Sequence, residues 1–181
     1  MRESIEPRRI WWARPRKLCG LERPGGGGRT HRPERRAGEI AYLKDRRVRL
    51  VVSTMTSRHN LRDYEEAGLA WHHVAVPSCE SGAEALDELV AFLRTESRHP
   101  GAIAVHGNLH TDFVAAVCAA HAHECRGISP ELGLIRAAEA GLDVTPAAAA
   151  LLGVDYDEIY EEVQPRSRMA AATSSGRSVI T

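Results

Sequence analysis

Residues 103–116 read I-A-V-H-G-N-L-H-T-D-F-V-A-A, an apolar strand that enters a short polar turn from which an alanine-rich helix leaves. Such a turn directs backbone N–H groups and the helix N-terminus toward one point, which is the geometry that binds phosphate. Sites in folds that alternate strands and helices lie at the carboxyl ends of parallel strands. We therefore expect an anion-binding architecture where Val105 leads into His106.

The same alternation of strands and helices extends over most of the chain. Apolar and β-branched runs predict strands at 10–13, 17–21, 48–55, 71–76 and 102–105. Amphipathic or capped segments predict helices at 34–47, 60–67, 81–93, 114–123 and 155–163, and two more after Ser129-Pro130 and Thr145-Pro146. Asn60 and the capping box Ser81-x-x-Glu84 are the predicted starts of two of these helices. The fold class is α/β, with a central, mostly parallel sheet of about 4–5 strands flanked by helices.

The length and the charge distribution suggest one domain with short ends. We expect a flexible basic arm over 1–9, a folded domain over 10–163 and a disordered tail over 164–181. The formal net charge is zero, but residues 1–49 contain 15 Lys and Arg against 6 Asp and Glu. Such a segment binds nucleic acid or an anionic membrane in some proteins and is merely solvated in others. Because the arginines are scattered, we expect weak contacts with anionic surfaces and no specific nucleic-acid binding.

Cysteine usage and hydropathy point to a cytoplasmic protein. The four cysteines show no C-x-x-C spacing, and the start M-R-E-S-I-E-P-R-R lacks the apolar run of a signal peptide. No apolar run approaches the length of a membrane span, so we expect no membrane insertion.

Three further phrases, in order, resemble a known family. An opening tryptophan strand precedes K-L-C-G-L-E-R-P-G at 17–25, and R-V-R-L-V-V-S-T-M occupies 47–55. E-A-G-L-A-W-H-H-V-A-V-P follows at 66–77. Together with the stretch at 103–116, these phrases resemble the atypical dual-specificity members of the protein tyrosine phosphatase superfamily over residues 10–153. The resemblance implies that family's fold and its cysteine-based phosphate site.

That family's catalytic groups are missing at the matching positions. Catalysis there uses a low-pKa thiolate, an Arg that binds phosphate in bidentate fashion and an Asp that protonates the leaving group. Gly107 stands in place of the cysteine, Phe113 in place of the arginine, and Ser78 in place of the acid. Glu80 is the nearest carboxyl group to that acid position. Cysteine-dependent phosphatase chemistry is therefore excluded.

The rest of the loop departs from the family pattern as well. His110 replaces the usual mid-loop glycine, Val114 replaces a hydroxyl residue, and Asp112 adds a carboxylate that repels phosphate. Only His106 is retained, at a position where the family's imidazole is a buried structural hydrogen-bonding group. The degenerate loop as a whole comprises His106, Gly107, Asn108, Leu109, His110, Thr111, Asp112 and Phe113. We expect a catalytically inactive pseudophosphatase that binds or scaffolds a protein partner, with no catalytic residues.

Two other hypotheses stay open on the sequence alone. His106, His110 and Asp112 are possible ligands for a metal-assisted hydrolase, with His72 or His73 nearby. The protein could also keep its fold without any retained role.

The cysteines offer two weaker candidates, a zinc site and a substitute nucleophile. Cys118, His121 and Cys125 share a helical face, but buried cysteine is an ordinary core residue and no fourth ligand is evident. Cys79 lies in residues 77–81, the segment around the acid position Ser78 that we call the acid loop. No neighbouring group in that segment would activate its thiol. We expect no cofactor and no resident metal.

Overall fold

The computed structural model describes residues 3–26, 32–108 and 110–164. Within them the chain forms five strands: β1 (Ile10–Arg14), β2 (Leu18–Leu21), β3 (Val48–Ser53), β4 (Ala70–His73) and β5 (Ala102–His106). Seven helices accompany them: α1 (Pro33–Asp45), α2 (Leu61–Glu66), α3 (Ala83–Glu96), α4 (Asp112–Arg126), α5 (Pro130–Glu139), α6 (Pro146–Leu151) and α7 (Tyr156–Val163).

The strands form one sheet in the order β1-β2-β5-β3-β4. The β1 strand runs antiparallel to β2, and every other neighbouring pair is parallel. Helices cover both faces because side chains of opposite strand parity are buried in two separate apolar layers. The layer that includes Val52 and Val105 also takes in helices α3 to α7, whereas the layer around Val51 and Ala104 takes in α1 and α2. The α/β class with a mostly parallel sheet is therefore confirmed.

Two of the predicted helix caps form. Ser129 accepts a hydrogen bond from the Leu132 N–H, and Thr145 accepts one from the Ala148 N–H, so both predicted caps form. Asp155 caps α7 in the same way. None of the helices in the described ranges combines the length and the apolar character that a membrane span requires.

Two predicted side-chain caps do not form, although a helix begins at or near each position. Asn60 precedes α2 but has a φ of 70° and makes no capping hydrogen bond; its side chain instead donates to the Pro24 carbonyl. Ser81 does not cap α3 either, because its hydroxyl donates to the Ser78 carbonyl and the helix begins at Ala83. In each case another carbonyl group binds the side chain that the sequence pattern assigned to the cap: a distant one for Asn60 and a neighbouring one for Ser81.

Two element boundaries also shift near the predicted site. The strand predicted over 71–76 ends at His73, although Val74 and Val76 still donate backbone hydrogen bonds to Ser53 and Thr54. Helix α4 begins at Asp112 rather than at 114. The last two positions of the degenerate loop are therefore the first turn of α4.

The segment 3–9 has no helix or strand, yet it contacts the domain. The Ile5 N–H donates to the Gly38 carbonyl, and the Tyr42 hydroxyl donates to Glu6. Arg9 forms an ion pair with Asp143. Flexibility of the arm over 1–9 stays a prediction, and residues 165–181 of the predicted tail lie outside the described residues.

Candidate functional site

A cleft of about 430 Å³ lies at the carboxyl ends of β3 and β5, where the sequence predicts the site. Its described lining comes from the ends of these strands, the acid loop and the degenerate loop: Thr54, Met55, Thr56, Val76, Pro77, Ser78, Cys79, Glu80, Gly107, Asn108, His110, Asp112, Phe113 and Thr145. No lysine or arginine occurs in this lining, whereas Glu80 and Asp112 are acidic. The cleft therefore disfavours a phosphate dianion.

His106 ends β5, and its side chain is fully buried. Its Nδ1 lies 2.9 Å from the Gly107 carbonyl oxygen and donates to it, so Nε2 accepts from the Tyr64 hydroxyl at 2.9 Å. Burial lowers the pKa of His106 to about 4. The imidazole is therefore neutral at physiological pH and acts as a structural hydrogen-bonding group.

Gly107 occupies a position where a side chain does not fit. A Cβ atom added there would lie 2.8 Å from the His110 carbonyl oxygen, closer than real Cβ atoms approach a backbone atom. The loop is thus closed on itself, with the His110 carbonyl oxygen beside the position that the resemblance matches to the family's cysteine. A carbonyl oxygen repels an anion, whereas a phosphate cradle presents N–H groups.

The N–H groups at the start of α4 already bind carboxylates of this chain. The Phe113 N–H donates to Asp112 Oδ1 at 2.9 Å, and the Thr145 hydroxyl donates to Asp112 Oδ2 at 3.1 Å. The Thr111 N–H donates to Asp143 Oδ2 at 3.0 Å. Internal anions therefore occupy the positive end of the helix dipole that binds phosphate in an active site.

Asp143 closes the loop together with Arg9 and Thr111. Arg9 pairs with Asp143 at 2.7 Å and donates to the Thr111 hydroxyl at 2.9 Å, while the Asp143 N–H donates to that hydroxyl at 2.8 Å. Partial burial raises the pKa of the Asp143 carboxyl, but the hydrogen bonds from Arg9 and Thr111 outweigh it, and the pKa lies below its ordinary value. The first residue of this network precedes β1, so the chain's beginning fixes the degenerate loop.

We expect Asp143→Ala to destabilise the domain by about 1–3 kcal/mol, because it leaves the Thr111 N–H without its acceptor and removes the ion pair with Arg9. Urea unfolding at pH 7 measures this change. Glu66→Ala is the matched control, since it removes the exposed ion pair Arg62–Glu66 and should change stability by less than about 0.5 kcal/mol. Equal effects of the two substitutions would contradict the closed loop.

Phe113, which the resemblance matches to the family's arginine, makes an apolar contact. Its ring is buried and lies directly against Gly82, the residue before α3, where an added Cβ would overlap the ring. The contact joins the first turn of α4 to the acid loop and explains why α3 starts after a glycine. A phenyl ring donates no hydrogen bonds, so this position offers nothing to a phosphate.

The acid loop carries no group suited to protonating a leaving group. Ser78 and Ser81 hydroxyls lie 3.3 Å apart, and Ser81 donates to the Ser78 carbonyl. Glu80 is fully exposed, and hydrogen bonds from its own backbone N–H and from Ser78 lower the pKa of its carboxyl. A general acid needs the opposite, a pKa raised toward neutrality.

Cys79 lines the cleft but is a poor nucleophile. Burial and the neighbouring carboxylates of Asp112 and Glu80 raise the pKa of its thiol to about 12. The thiolate is the reactive form, so this thiol is essentially unreactive at neutral pH.

The structure does not bring the proposed metal ligands together. Among the described residues there is no group of three or more His, Cys, Asp or Glu side chains placed to hold a metal ion. Both ring nitrogens of His106 already have partners. His72 stacks on Phe92 at 4.3 Å, and His73 Nε2 contacts the Met55 carbonyl oxygen at 2.7 Å. The metal-assisted alternative therefore has no ligand set here.

Cys118, His121 and Cys125 do not form a metal site either. Cys118 is buried beside Gly20, while His121 Nε2 contacts Ser97 Oγ at 3.2 Å and Cys125 Sγ at 3.5 Å. Cys118 thus packs in the core, as an ordinary buried thiol does.

The loop's remaining positions are accounted for in part. Asn108 and His110 are exposed at the cleft, Thr111 is buried, and Leu109 lies outside the described residues. Sequence reasoning missed the contributions of Tyr64, Arg9 and Asp143. Asp143 stands two residues before the recognised cap Thr145, but no local pattern links it to Thr111.

Several solved structures have a similar fold. Human DUSP28 matches with a TM-score of 0.62 at 21% identity, covering 88% of this chain and 99% of that one. TpbA of P. aeruginosa matches with a TM-score of 0.64 at 16% identity, covering 89% and 94%. The chain has the dual-specificity phosphatase fold. PTPMT1 shares this fold with a TM-score of 0.57 at 16% identity, over 85% and 96%. No protein-family model and no curated protein sequence matches the chain.

Proposed function

We propose that this protein is a catalytically inactive dual-specificity phosphatase-like domain that acts by binding a protein partner. The observation that carries the proposal is the closed loop at Gly107, where the His110 carbonyl oxygen lies 2.8 Å from the position of the missing side chain. The residues on both sides of this position support it, because the N–H groups that would receive a phosphate are bonded to Asp112 and Asp143.

The lining of the cleft supports a partner group that is uncharged or cationic. Glu80 and Asp112 supply negative charge, while Met55, Val76 and Phe113 supply apolar surface. Such a lining favours an apolar or basic side chain over phosphotyrosine. A weak contact of the basic arm with anionic surfaces is part of this proposal, although Arg9 is already paired within the domain.

A cytoplasmic location also belongs to the proposal. All four cysteines are free thiols, as is usual in a reducing compartment.

The proposal predicts that the purified chain does not hydrolyse para-nitrophenyl phosphate above the rate in buffer. It also predicts that inorganic phosphate and vanadate, each at millimolar concentration, do not raise the melting temperature. A catalytically active dual-specificity phosphatase at equal concentration serves as the positive control for both measurements.

Three results would contradict the proposal, each for a different reason. Turnover that a chelator abolishes would overturn the proposal in favour of metal-assisted hydrolysis. Turnover that Cys79→Ser abolishes would instead identify a substitute nucleophile. A rise in melting temperature with vanadate but without turnover would contradict the closed loop and indicate an anion-binding domain.

A further inference from the structure

A second groove, of about 620 Å³, adjoins the cleft and shares His110 and Thr145 with it. It lies between the segment that links α5 to α6 and the end of α7. Leu142, Val144 and Val163 contribute apolar surface to its lining. The groove is therefore continuous with the cleft, but different helices form it.

Two acidic side chains in this lining are uncompensated. Glu139 and Glu162 are exposed, and neither forms an ion pair with a residue in the described ranges. Asp143 also lines the groove, but Arg9 neutralises it. A groove with apolar walls and two free carboxylates suits arginine, whose aliphatic stem covers apolar surface while its guanidinium binds carboxylate.

The described part of the chain ends at this groove. Gln164 lines it and has φ −66° and ψ 137°, so the backbone leaves α7 in an extended conformation. Its Nε2 donates to the Tyr156 hydroxyl at 3.4 Å, and that hydroxyl donates to the Val144 carbonyl at 3.5 Å. Pro165 follows, and a residue before proline is biased toward extended backbone. The next residues of the chain therefore start at the groove's wall.

The sequence that follows complements the groove in charge. Residues 165–181 contain Arg166, Arg168 and Arg177 and no aspartate or glutamate. Side chains two positions apart point to the same face of an extended chain, so Arg166 and Arg168 can face one surface together. A tethered segment also binds at an effective concentration in the millimolar range, which favours even a weak contact.

We propose that residues 165–168 bind in this groove of their own chain, with Arg166 and Arg168 opposite Glu139 and Glu162. This inference stands whether or not the cleft itself is catalytic.

Amide hydrogen exchange on the full chain tests the contact. The reporter is the Leu142 N–H, which lines the groove and is hydrogen-bonded to the Ala137 carbonyl. We expect its exchange to be about fivefold faster in Arg166→Glu with Arg168→Glu, the effect of losing two exposed ion pairs. The double variant leaves every described residue unchanged. Arg177→Glu is the matched control and should exchange as the wild type does.

Three further measurements distinguish binding of the chain's own segment from binding by a second copy and from no contact. A chain that ends at Gln164 should behave as the double variant, and Glu139→Arg with Glu162→Arg should restore protection when combined with it. Equal exchange in all chains, or an equal effect of Arg177→Glu, would overturn the proposal. Protection that rises with protein concentration would also overturn it, because the occupant would then be a second copy.

Discussion

Introducing the cysteine and the arginine that the resemblance places at these positions, by Gly107→Cys together with Phe113→Arg, is expected to produce no phosphatase activity. Enzymes accelerate such reactions by about 10⁶-fold or more, and none of this acceleration should appear with para-nitrophenyl phosphate. The new Cβ would meet the His110 carbonyl oxygen at 2.8 Å, so the loop must open before a thiolate can reach a substrate. The N–H groups that would stabilise that thiolate remain bonded to Asp112 and Asp143.

Single variants separate loop geometry from chemistry. Gly107→Ala adds only the Cβ, and we expect it to destabilise the domain by about 1–3 kcal/mol in urea unfolding, the usual effect of overpacking. Gly107→Ser with Phe113→Arg has nearly the bulk of the double variant without its thiol, and both should show the same absence of turnover. Activity in the cysteine form but not in the serine form would show that the cradle opens and would contradict the closed loop.

The parts of the fold that the sequence predicts well depend on neighbours in the chain. The caps at Ser129 and Thr145 form because each hydroxyl meets an N–H three residues later. The strands around Val51 and Ala104 follow from apolar runs that any parallel sheet buries. Asn60 fails as a cap because Pro24, far away in the sequence, takes its side chain.

The candidate site divides in the same way. Gly107 and Phe113 can be recognised as unable to perform the family's chemistry from their side chains alone. The closure of the loop depends on Arg9 and Asp143, which contact Thr111 across 102 and 32 positions of sequence. No local pattern encodes such contacts. The sequence therefore shows that a cysteine and an arginine are absent from the loop, but it does not show that carboxylates of the chain bind the loop's N–H groups.

The domain is expected to lose several kcal/mol of stability as the pH falls from 6.5 to 4. His106 and His121 are buried, and burial lowers the pKa of each from 6.5 to about 4. The unfolded chain therefore takes up these two protons at a pH where the folded chain does not. The contribution of these two imidazoles is complete above pH 6.5, falls by up to about 2.7 kcal/mol per pH unit, and levels off below pH 4. The total free energy of unfolding of a domain is about 5–15 kcal/mol, so mild acid should unfold much of the population.

Urea unfolding at pH 7.5, 6.0 and 5.0 measures this loss of stability. The variant His121→Leu shows how much of the loss belongs to His121 and how much to His106. Among the described residues the buried Nδ1 of His121 has no hydrogen-bond partner, whereas its Nε2 contacts Ser97 Oγ at 3.2 Å. Replacement of the ring by an apolar side chain should therefore cost about 1 kcal/mol at every pH through loss of that hydrogen bond, and should halve the slope between pH 6.5 and 4. His123→Gln on the same helix is exposed and should leave the slope unchanged. The remaining slope then belongs mainly to His106, whose ring faces Tyr64, the Gly107 carbonyl, Arg23 and His73. An NMR titration that shows the His106 ring protonating near pH 6.5 in the folded chain would contradict its role as a neutral, buried anchor of the degenerate loop.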